Sequence, residues 1–220
     1  MKIGGLARWY RWIEYAAFGR GLERRRFAFL PRLASARRIL LPGEGDGRSL
    51  ALLLILAPLA DFDVVEVSPE MIALAQQRTG NSPRIKFLCR DARKTSWPTA
   101  QYDGIVTHFF LDCFVESDAR QLIRRLTKTL QPDGIWLMSE FAVPTKGWPR
   151  LHAWLWIKTM YRFFGLATGL SARALPPIER LMQEAGMHRT DREQTRAGLM
   201  VSEVWRHNIA KPSGVPRISP

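Results

Sequence analysis

The chain has 220 residues, and its 33 Lys and Arg outnumber its 20 Asp and Glu to give a formal net charge of +13. This length predicts one domain, with room for an appendage, and is enough to bury a sizeable core. Hydrophobic residues make up 46% and charged residues 24% of the chain, proportions that exclude disorder of the whole chain.

Neither the longest apolar stretch nor the N-terminus has the features of a membrane-spanning or secretory segment. The stretch at residues 50–60 holds eleven residues and includes Pro58, whereas a membrane-spanning helix needs about twenty. Residues 1–15 lack the apolar region and cleavage site of a secretory signal, so we expect a cytoplasmic protein. The two cysteines, Cys89 and Cys113, exclude a disulfide framework or a cysteine-rich zinc site, and no metal site is predicted.

The N-terminal forty residues carry most of the excess charge, with ten Lys and Arg against two acids. Aromatic residues are interleaved with these cations, which is typical of one or two basic amphipathic helices, and residues 1–36 are predicted to form such a segment. Three surfaces suit it: the protein's own core, an anionic membrane surface or nucleic acid. No zinc-finger spacing or helix-turn-helix pattern accompanies the basic residues.

From residue 37 the pattern changes to short apolar strands that alternate with helices. Ser68 and Pro69 are expected to cap and open one of these helices. The predicted strands are 39–41, 63–67, 84–88, 104–110, 134–139, 188–193 and 198–206, and the predicted helices are 49–59, 70–78, 119–130 and 178–184. This alternation predicts an α/β domain over residues 37–207 with a doubly wound, mainly parallel sheet, and a flexible tail at residues 208–220.

A glycine-rich loop follows the first predicted strand, with glycine at positions 43, 45 and 47. Such glycines allow positive φ angles and a close approach of the backbone to a ligand, and the helix after them presents free N–H groups. A dinucleotide fingerprint would need glycine where the chain has Arg48 or Leu50, and the phosphate-binding P-loop pattern is absent. The loop therefore favours another nucleotide-like cofactor.

A carboxylate, Glu66, stands nineteen residues after Gly47, at the end of the second predicted strand. A carboxylate at this place can accept hydrogen bonds from the two hydroxyls of a ribose. Together with the glycine loop, Glu66 predicts a site for an adenosine-containing cofactor at the carboxyl edge of the sheet.

Residues 37–140 resemble the class I S-adenosylmethionine-dependent methyltransferases, which implies a Rossmann-like sheet of seven strands. The resemblance rests on four segments, at residues 43–48, 65–71, 89–92 and 102–106. It implies that the loop holds the methionine part of S-adenosylmethionine, that Glu66 holds the ribose, and that Val67, Met71, Asp91 and Ala92 surround the adenine. The predicted cofactor site thus comprises Gly43, Glu44, Gly45, Gly47, Glu66, Val67, Met71, Asp91 and Ala92.

One position departs from this family. Two residues before its first loop glycine the family usually has an acid, and this chain has Leu41. Glu44 or Asp46, inside the loop, is the alternative carboxylate for the amino group of the cofactor.

The segment after the fourth predicted strand is expected to lie over the reactive end of the cofactor. His108 and Asp112 are therefore the candidate catalytic bases, with a packing role as the alternative for His108. Phe109 or Phe110 is a candidate wall of the pocket. Cys113 is expected to be a small buried thiol and Asp103 a structural turn residue.

After the fifth strand comes a segment rich in Trp and other large apolar side chains, at residues 148–164. It predicts a helical insertion at about residues 146–170, either packed on the sheet or forming a lid that contacts an apolar acceptor or a membrane surface. A Trp-rich segment is similarly placed in the quinone-biosynthesis methyltransferases, which favours a lipophilic substrate.

We therefore expect an S-adenosylmethionine-dependent methyltransferase whose partner is a small, lipophilic or aromatic acceptor molecule. One alternative keeps the chemistry and makes the substrate RNA, on the strength of the net charge of +13. The other is a cofactor-binding interaction module without catalysis, suggested by Leu41 and by the lack of a compelling base.

Overall fold

The computed structural model describes residues 21–80, 82–142, 175–195 and 198–208. Three predicted features lie largely or wholly outside these ranges: the first twenty residues of the basic N-terminal segment, the Trp-rich segment at 148–164, and the tail after residue 208. The predictions of membrane-surface and nucleic-acid contact, which depend on the first two, stay predictions.

A seven-stranded sheet forms the centre of the described structure, in the order β3-β2-β1-β4-β5-β7-β6. The first five strands are parallel, and β7 pairs antiparallel with both β5 and β6. The predicted doubly wound, mainly parallel sheet with a closing antiparallel hairpin is confirmed. The order of the strands reverses between β1 and β4, and in open α/β sheets ligands bind at such a reversal, beyond the carboxyl ends of the strands.

The described part of the chain contains five helices and seven strands. The strands are β1 (Arg38–Pro42), β2 (Asp61–Glu66), β3 (Ile85–Cys89), β4 (Tyr102–His108), β5 (Leu130–Phe141), β6 (Met187–Gln194) and β7 (Met200–His207). The helices are α1 (Gly21–Phe27), α2 (Arg48–Leu56), α3 (Pro69–Thr79), α4 (Glu116–Thr127) and α5 (Ile178–Glu184). Single 3-10 turns cover Leu30–Leu33 and Leu111–Cys113.

The sequence signals at the ends of α3 act as predicted. Ser68 caps the helix, since its hydroxyl accepts a hydrogen bond from the Met71 N–H at 3.2 Å, and Pro69 is the first helical residue. Gly80 ends the helix with a φ of 65° in the left-handed region.

Two predicted strand boundaries are corrected by the structure. β4 was expected to continue to Phe110 but ends at His108, because Phe109 adopts a φ of +52° and turns the chain into the 3-10 turn. β5 begins at Leu130 and includes the predicted turn at residues 132–134, where its register with β4 shifts between Tyr102 and Gly104.

Two hydrophobic clusters cover the two faces of the sheet. On one face, α4 and α5 pack on β4, β5 and β7, and the fully buried Trp136 and Trp205 lie in this layer. On the other face, α2 and the first 3-10 turn pack on β1, β2 and β4. This two-sided burial explains why the central strands read as continuous apolar runs. Within the described ranges, no helix is long and apolar enough to cross a membrane.

Candidate cofactor-binding site

The glycine loop connects the end of β1 to the start of α2, at the carboxyl edge of the sheet. Gly43, Gly45 and Gly47 have φ angles of 67°, 72° and 81°, a region in which other residues are strained. Gly47 is the N-cap of α2 and has no side chain to cap it. Glu44 takes over this task, since its carboxylate accepts a hydrogen bond from the Leu50 N–H at 2.9 Å.

The three loop glycines face different surroundings. A Cβ on Gly43 would overlap the ring of Phe110, and a Cβ on Gly47 would lie 2.8 Å from the Cα and Cβ of Ala75 on α3. A Cβ on Gly45 would have nothing within 4 Å. The loop therefore packs against the protein at its two ends and leaves open space at its centre, as a backbone cradle for a ligand requires.

Glu66 ends β2 beside this open space. Its Oε2 accepts a hydrogen bond from the Gly45 N–H at 3.2 Å, and its Oε1 accepts from the N–H groups of Val67 and Ser68 at 2.9 and 3.0 Å. These bonds hold the carboxylate at the loop. A carboxylate oxygen has two lone-pair sites, so Oε2 retains the capacity to accept a further hydrogen bond. The arrangement fits the predicted ribose contact.

The two acids inside the loop differ in their electrostatics. Burial raises the pKa of Glu44 to about 7, against the opposing effects of the Leu50 N–H and of Arg26. Burial also works to raise the pKa of Asp46, but ion pairs with Arg48 and Arg78, both at 3.1 Å, leave it below its ordinary value. Asp46 thus ties the loop to α2 and α3, and Glu44 is the better placed of the two for the amino group of the cofactor.

The predicted adenine surroundings lie at the ends of β2 and β3. Val67 is 66% exposed, whereas Ala92 is buried. Asp91 accepts a hydrogen bond from the Arg93 N–H at 2.9 Å and pairs with its guanidinium at 2.7 Å, and these bonds lower the pKa of Asp91. Asp91 therefore caps the turn that follows β3, and its contact with adenine stays a prediction, as does that of Met71.

His108 ends β4 with both ring nitrogens buried and without a hydrogen-bond partner. Burial lowers the pKa of His108 to about 3, and the nearby Arg26 lowers it further in the same sense. The imidazole is neutral at pH 7 and a weak base. The structure brings His108 to the carboxyl edge as expected, and its electrostatics suit packing better than proton abstraction.

Asp112, the second candidate base, lies in the 3-10 turn that follows Phe110 and is 4% exposed. Burial raises the pKa of Asp112 to about 6, and a hydrogen bond with Glu140 acts in the opposite direction. Glu140 was not among the predicted site residues. It stands near the end of β5, and an acid directly after the buried run of residues 135–139 was the available signal.

Two further expectations are confirmed by the structure. Asp103 is structural, since its Oδ2 accepts hydrogen bonds from the N–H groups of Arg37 and Arg38 at 2.7 and 2.8 Å. Cys113 is a half-buried thiol whose pKa is raised well above its ordinary value by burial. Phe110 walls the loop at Gly43 and contacts the ring of Phe114 edge-on at 5.1 Å between centroids.

The sequence of the domain is similar to those of known methyltransferases. Residues 39–134 match the family described as a methyltransferase domain. The chain is 29% identical over 133 residues to a demethylmenaquinone methyltransferase of Thermus thermophilus, covering 60% of each chain. It is 28% identical over 145 residues to a 2-phytyl-1,4-naphtoquinone methyltransferase of Thermosynechococcus vestitus, covering 60% of this chain and 64% of that one. The chain thus spans less than two thirds of the length of either relative.

Solved structures share the fold. The N-methyltransferase NodS of Bradyrhizobium japonicum, in complex with S-adenosyl-L-homocysteine, superposes with a TM-score of 0.61 at 19% identity, over 85% of this chain and 88% of that one. An O-methyltransferase family 2 protein of Planctomyces limnophilus, in complex with apigenin, superposes with a TM-score of 0.69 at 17% identity, over 94% and 62%.

The glycine cradle, the carboxylate at the end of β2 and the reversal of strand order are found together in a domain that matches methyltransferases along its sequence. Residues 39–134 are thus similar to the methyltransferase domain family, and the described fold is the one found in solved methyltransferases. Within the described residues, no group of three or more His, Cys, Asp or Glu is arranged to hold a metal ion.

Proposed function

We propose that the chain transfers the methyl group of S-adenosylmethionine to a small lipophilic or aromatic acceptor that carries a hydroxyl group, such as a quinol. The observation that carries the proposal is the open space at Gly45, which lies beside the carboxylate of Glu66. The Gly45 N–H donates a hydrogen bond of 3.2 Å to that carboxylate. Bound there, S-adenosylmethionine supplies a methyl group on a sulfonium that is its own leaving group.

The residues around the cradle provide complementary groups for each part of this cofactor. Glu66 accepts from the ribose hydroxyls, and the exposed Val67 offers an apolar surface to the adenine. The methionine part is a zwitterion. Glu44 offers its ammonium group a carboxylate, and Arg26, whose charge acts on both Glu44 and His108, offers its carboxylate a cation.

The acceptor class is supported by the relatives and by the aromatic lining at the carboxyl edge. Both relatives are named for quinone substrates. In this chain the ring of Phe109 contacts Phe141 at 4.8 Å between centroids, and Arg26 lies 5.5 Å over the same Phe109 ring. Aromatic surfaces of this kind suit a flat, apolar acceptor better than a charged one.

Of the two candidate bases, Asp112 is the better matched to a proton transfer near neutral pH. A base is most effective when its pKa is close to the working pH, and it then contributes about 10²- to 10⁴-fold to the rate. The pKa of Asp112 is about 6, whereas that of His108 is about 3. We assign the base to Asp112 and a packing role to His108.

The cofactor is tested by calorimetric titration of the purified chain with S-adenosylmethionine, S-adenosylhomocysteine and NAD. We expect the first two to bind and NAD not to bind, and we expect Glu66→Ala to weaken binding at least tenfold, because the ribose loses a charged hydrogen-bond acceptor. Asp103→Asn is a matched control, since Asp103 lies at the other end of β4. A folded wild type that binds neither compound would refute the proposal.

The acceptor is tested with tritiated S-adenosylmethionine and a panel of compounds. The panel pairs 1,4-dihydroxynaphthalene and a prenylated analogue with catechol, a primary amine and a short RNA. Transfer to the naphthoquinol, increased by the prenyl chain, supports the proposal. Transfer to the RNA alone, lost at high salt, would instead favour the nucleic-acid alternative.

A further inference from the structure

Two carboxyl groups are buried against each other beyond the carboxyl ends of β4 and β5. Asp112 is 4% exposed and Glu140 is 2% exposed. Their side chains hydrogen-bond to each other. Glu140 also accepts hydrogen bonds from the N–H groups of Leu111 and Asp112, at 3.0 and 3.4 Å. Two carboxylates this close cannot both be ionised away from water at low cost, so the pair holds a proton between them.

The environment favours Glu140 as the holder of this proton. Burial raises the pKa of both groups, and the negative charge of Asp112 raises that of Glu140 further, to well above its ordinary value. The pKa of Asp112 is lower, at about 6, because its partner donates a hydrogen bond to it. Near neutral pH this difference favours the state in which Glu140 is protonated and Asp112 is ionised.

The pair lies close to the cofactor cradle. The turn that contains Asp112 also carries Phe110, whose ring rests on Gly43 of the glycine loop. The thiol of Cys113 lies 3.5 Å from Oδ1 of Asp112, and its pKa is raised by burial, by both carboxyls of the pair and by Glu66 at the ribose position. The carboxyl pair and Glu66 therefore both act electrostatically on the thiol of Cys113.

Other charged groups on the elements around β5 have partners of their own. On α1, Arg25 pairs with Glu193 at 3.0 Å, and Arg26 lies over Phe109. On β7, Glu203 pairs with Arg189 at 3.0 Å. On β4, His108 is neutral at pH 7. Among the described residues, the thiol of Cys113 contacts the pair, and the pKa of that thiol is also raised by Glu66.

We propose that Glu140 is a positioning residue, which carries the proton of the pair and so leaves Asp112 as the base for a hydroxyl-bearing acceptor. This inference rests on the proposed function. In the transfer, the acceptor's hydroxyl proton passes to the carboxylate of Asp112, and the electron pair of the acceptor atom forms a bond to the methyl carbon. The bond from carbon to sulfur breaks, and its electrons remain on sulfur in S-adenosylhomocysteine.

The shared proton is tested without any acceptor, by NMR titration of protein labelled with ¹³C at the Asp and Glu carboxyl carbons. In the wild type we expect one carboxyl to titrate near pH 6 and a second well above it. Asp112→Asn should move the second titration to lower pH, because the like charge is removed. Independent titration of both groups near their ordinary values would overturn the pairing.

The role of Glu140 is tested by the pH dependence of kcat with 1,4-dihydroxynaphthalene. Asp112→Asn should lower kcat at least 100-fold, within the range for a lost base. Glu140→Ala should lower kcat about tenfold and move the acidic limb to higher pH, since Asp112 loses its donor. Glu140→Gln, whose amide can still donate to Asp112, should restore the limb. The KM for S-adenosylmethionine should change less than threefold in all three variants.

Glu203→Gln is the matched control, because Glu203 is a carboxyl of the same sheet that is 3% exposed and lies outside the pair. It should leave the acidic limb unchanged, and a limb that moves equally in this variant would reduce Glu140 to a structural role. An unchanged limb in Glu140→Ala would overturn the proposal. A wild type that binds S-adenosylmethionine but does not methylate the quinol would remove both the proposed acceptor class and the base role, while the NMR titration still decides the pairing.

Discussion

The glycine loop makes a prediction that separates ligand contact from packing. Gly45 and Gly47 have similar φ angles of 72° and 81°, so an alanine at either position pays the same cost of the left-handed region, about 1–2 kcal/mol. Their surroundings differ, because the new Cβ would have nothing within 4 Å at Gly45 and would lie 2.8 Å from Ala75 at Gly47. The two substitutions should therefore affect different properties of the protein.

For Gly47→Ala we expect a loss of stability of about 2–5 kcal/mol. The left-handed conformation accounts for about 1–2 kcal/mol, and forcing α2 and α3 apart at Ala75 adds about 1–3 kcal/mol, the usual cost of overpacking. For Gly45→Ala we expect only the first of these costs. The added methyl group should instead occupy cofactor space and weaken the binding of S-adenosylhomocysteine at least tenfold, or about 1.4 kcal/mol.

Urea unfolding followed by tryptophan fluorescence measures the stabilities, and calorimetric titration with S-adenosylhomocysteine measures binding. Gly80→Ala is the control, since Gly80 has a φ of 65°, has open space around its Cβ position and ends α3 at the surface. It should reproduce the stability loss of Gly45→Ala and leave binding unchanged. Wild-type affinity in Gly45→Ala would refute the cradle, and equal stability losses in Gly45→Ala and Gly47→Ala would refute the close packing on Ala75.

Three further predictions concern stability. The pKa of Glu44 is raised to about 7, so the folded state binds this proton more tightly than the unfolded state, and stability falls as pH rises from about 4.5 to 7. In urea titrations, Glu44→Gln should have the stability of the wild type at pH 4 and should be more stable than the wild type by about 1–3 kcal/mol at pH 8. The pKa of His108 is lowered to about 3, so its contribution to stability is present above pH 6.5 and is lost as pH falls toward 3. In thermal melts between pH 7 and pH 4, the melting temperature of His108→Phe should therefore fall less than that of the wild type. Arg84→Met should lower the stability by about 1–3 kcal/mol in the same assay, and Arg84→Lys should restore little of it. The guanidinium donates to four carbonyl groups in the last turn of α2 and just after it, those of Leu54, Ala57, Pro58 and Ala60.

The sheet could be predicted because its signals are local. Short β-branched and apolar runs between turn residues mark β1, β2 and β4, and the capping pair Ser68 and Pro69 marks the start of α3. The end of β4 could not be predicted in this way. Phe109 has a strong preference for strands, and only the tertiary structure holds it at a φ of +52°, where its N–H donates to the carbonyl of Ser139 at 2.6 Å.

The candidate site was predictable where the backbone determines it. The positions of Gly45 and Glu66 follow from the loop and from the strand end, both of which are visible in the sequence. The carboxyl pair depends on Asp112 and Glu140, which are separated by 27 intervening residues and come together only when β4 and β5 lie side by side. Periodicity describes neighbours along the chain, so it cannot find such a pair.

The departure at Leu41 fits the way in which this domain uses its charges. Leu41 is fully buried in the cluster that packs α2 on the sheet, and an acid in its place would lose that packing and would need a buried partner. In this chain the loop itself carries a carboxylate, Glu44. It caps α2 by accepting a hydrogen bond from the Leu50 N–H, and it interacts electrostatically with Arg26. Under the proposed function, one side chain serves both the helix and the cofactor. Because the helix needs only an acceptor whereas the ammonium group favours an anion, Glu44→Gln should preserve the first role and weaken the second.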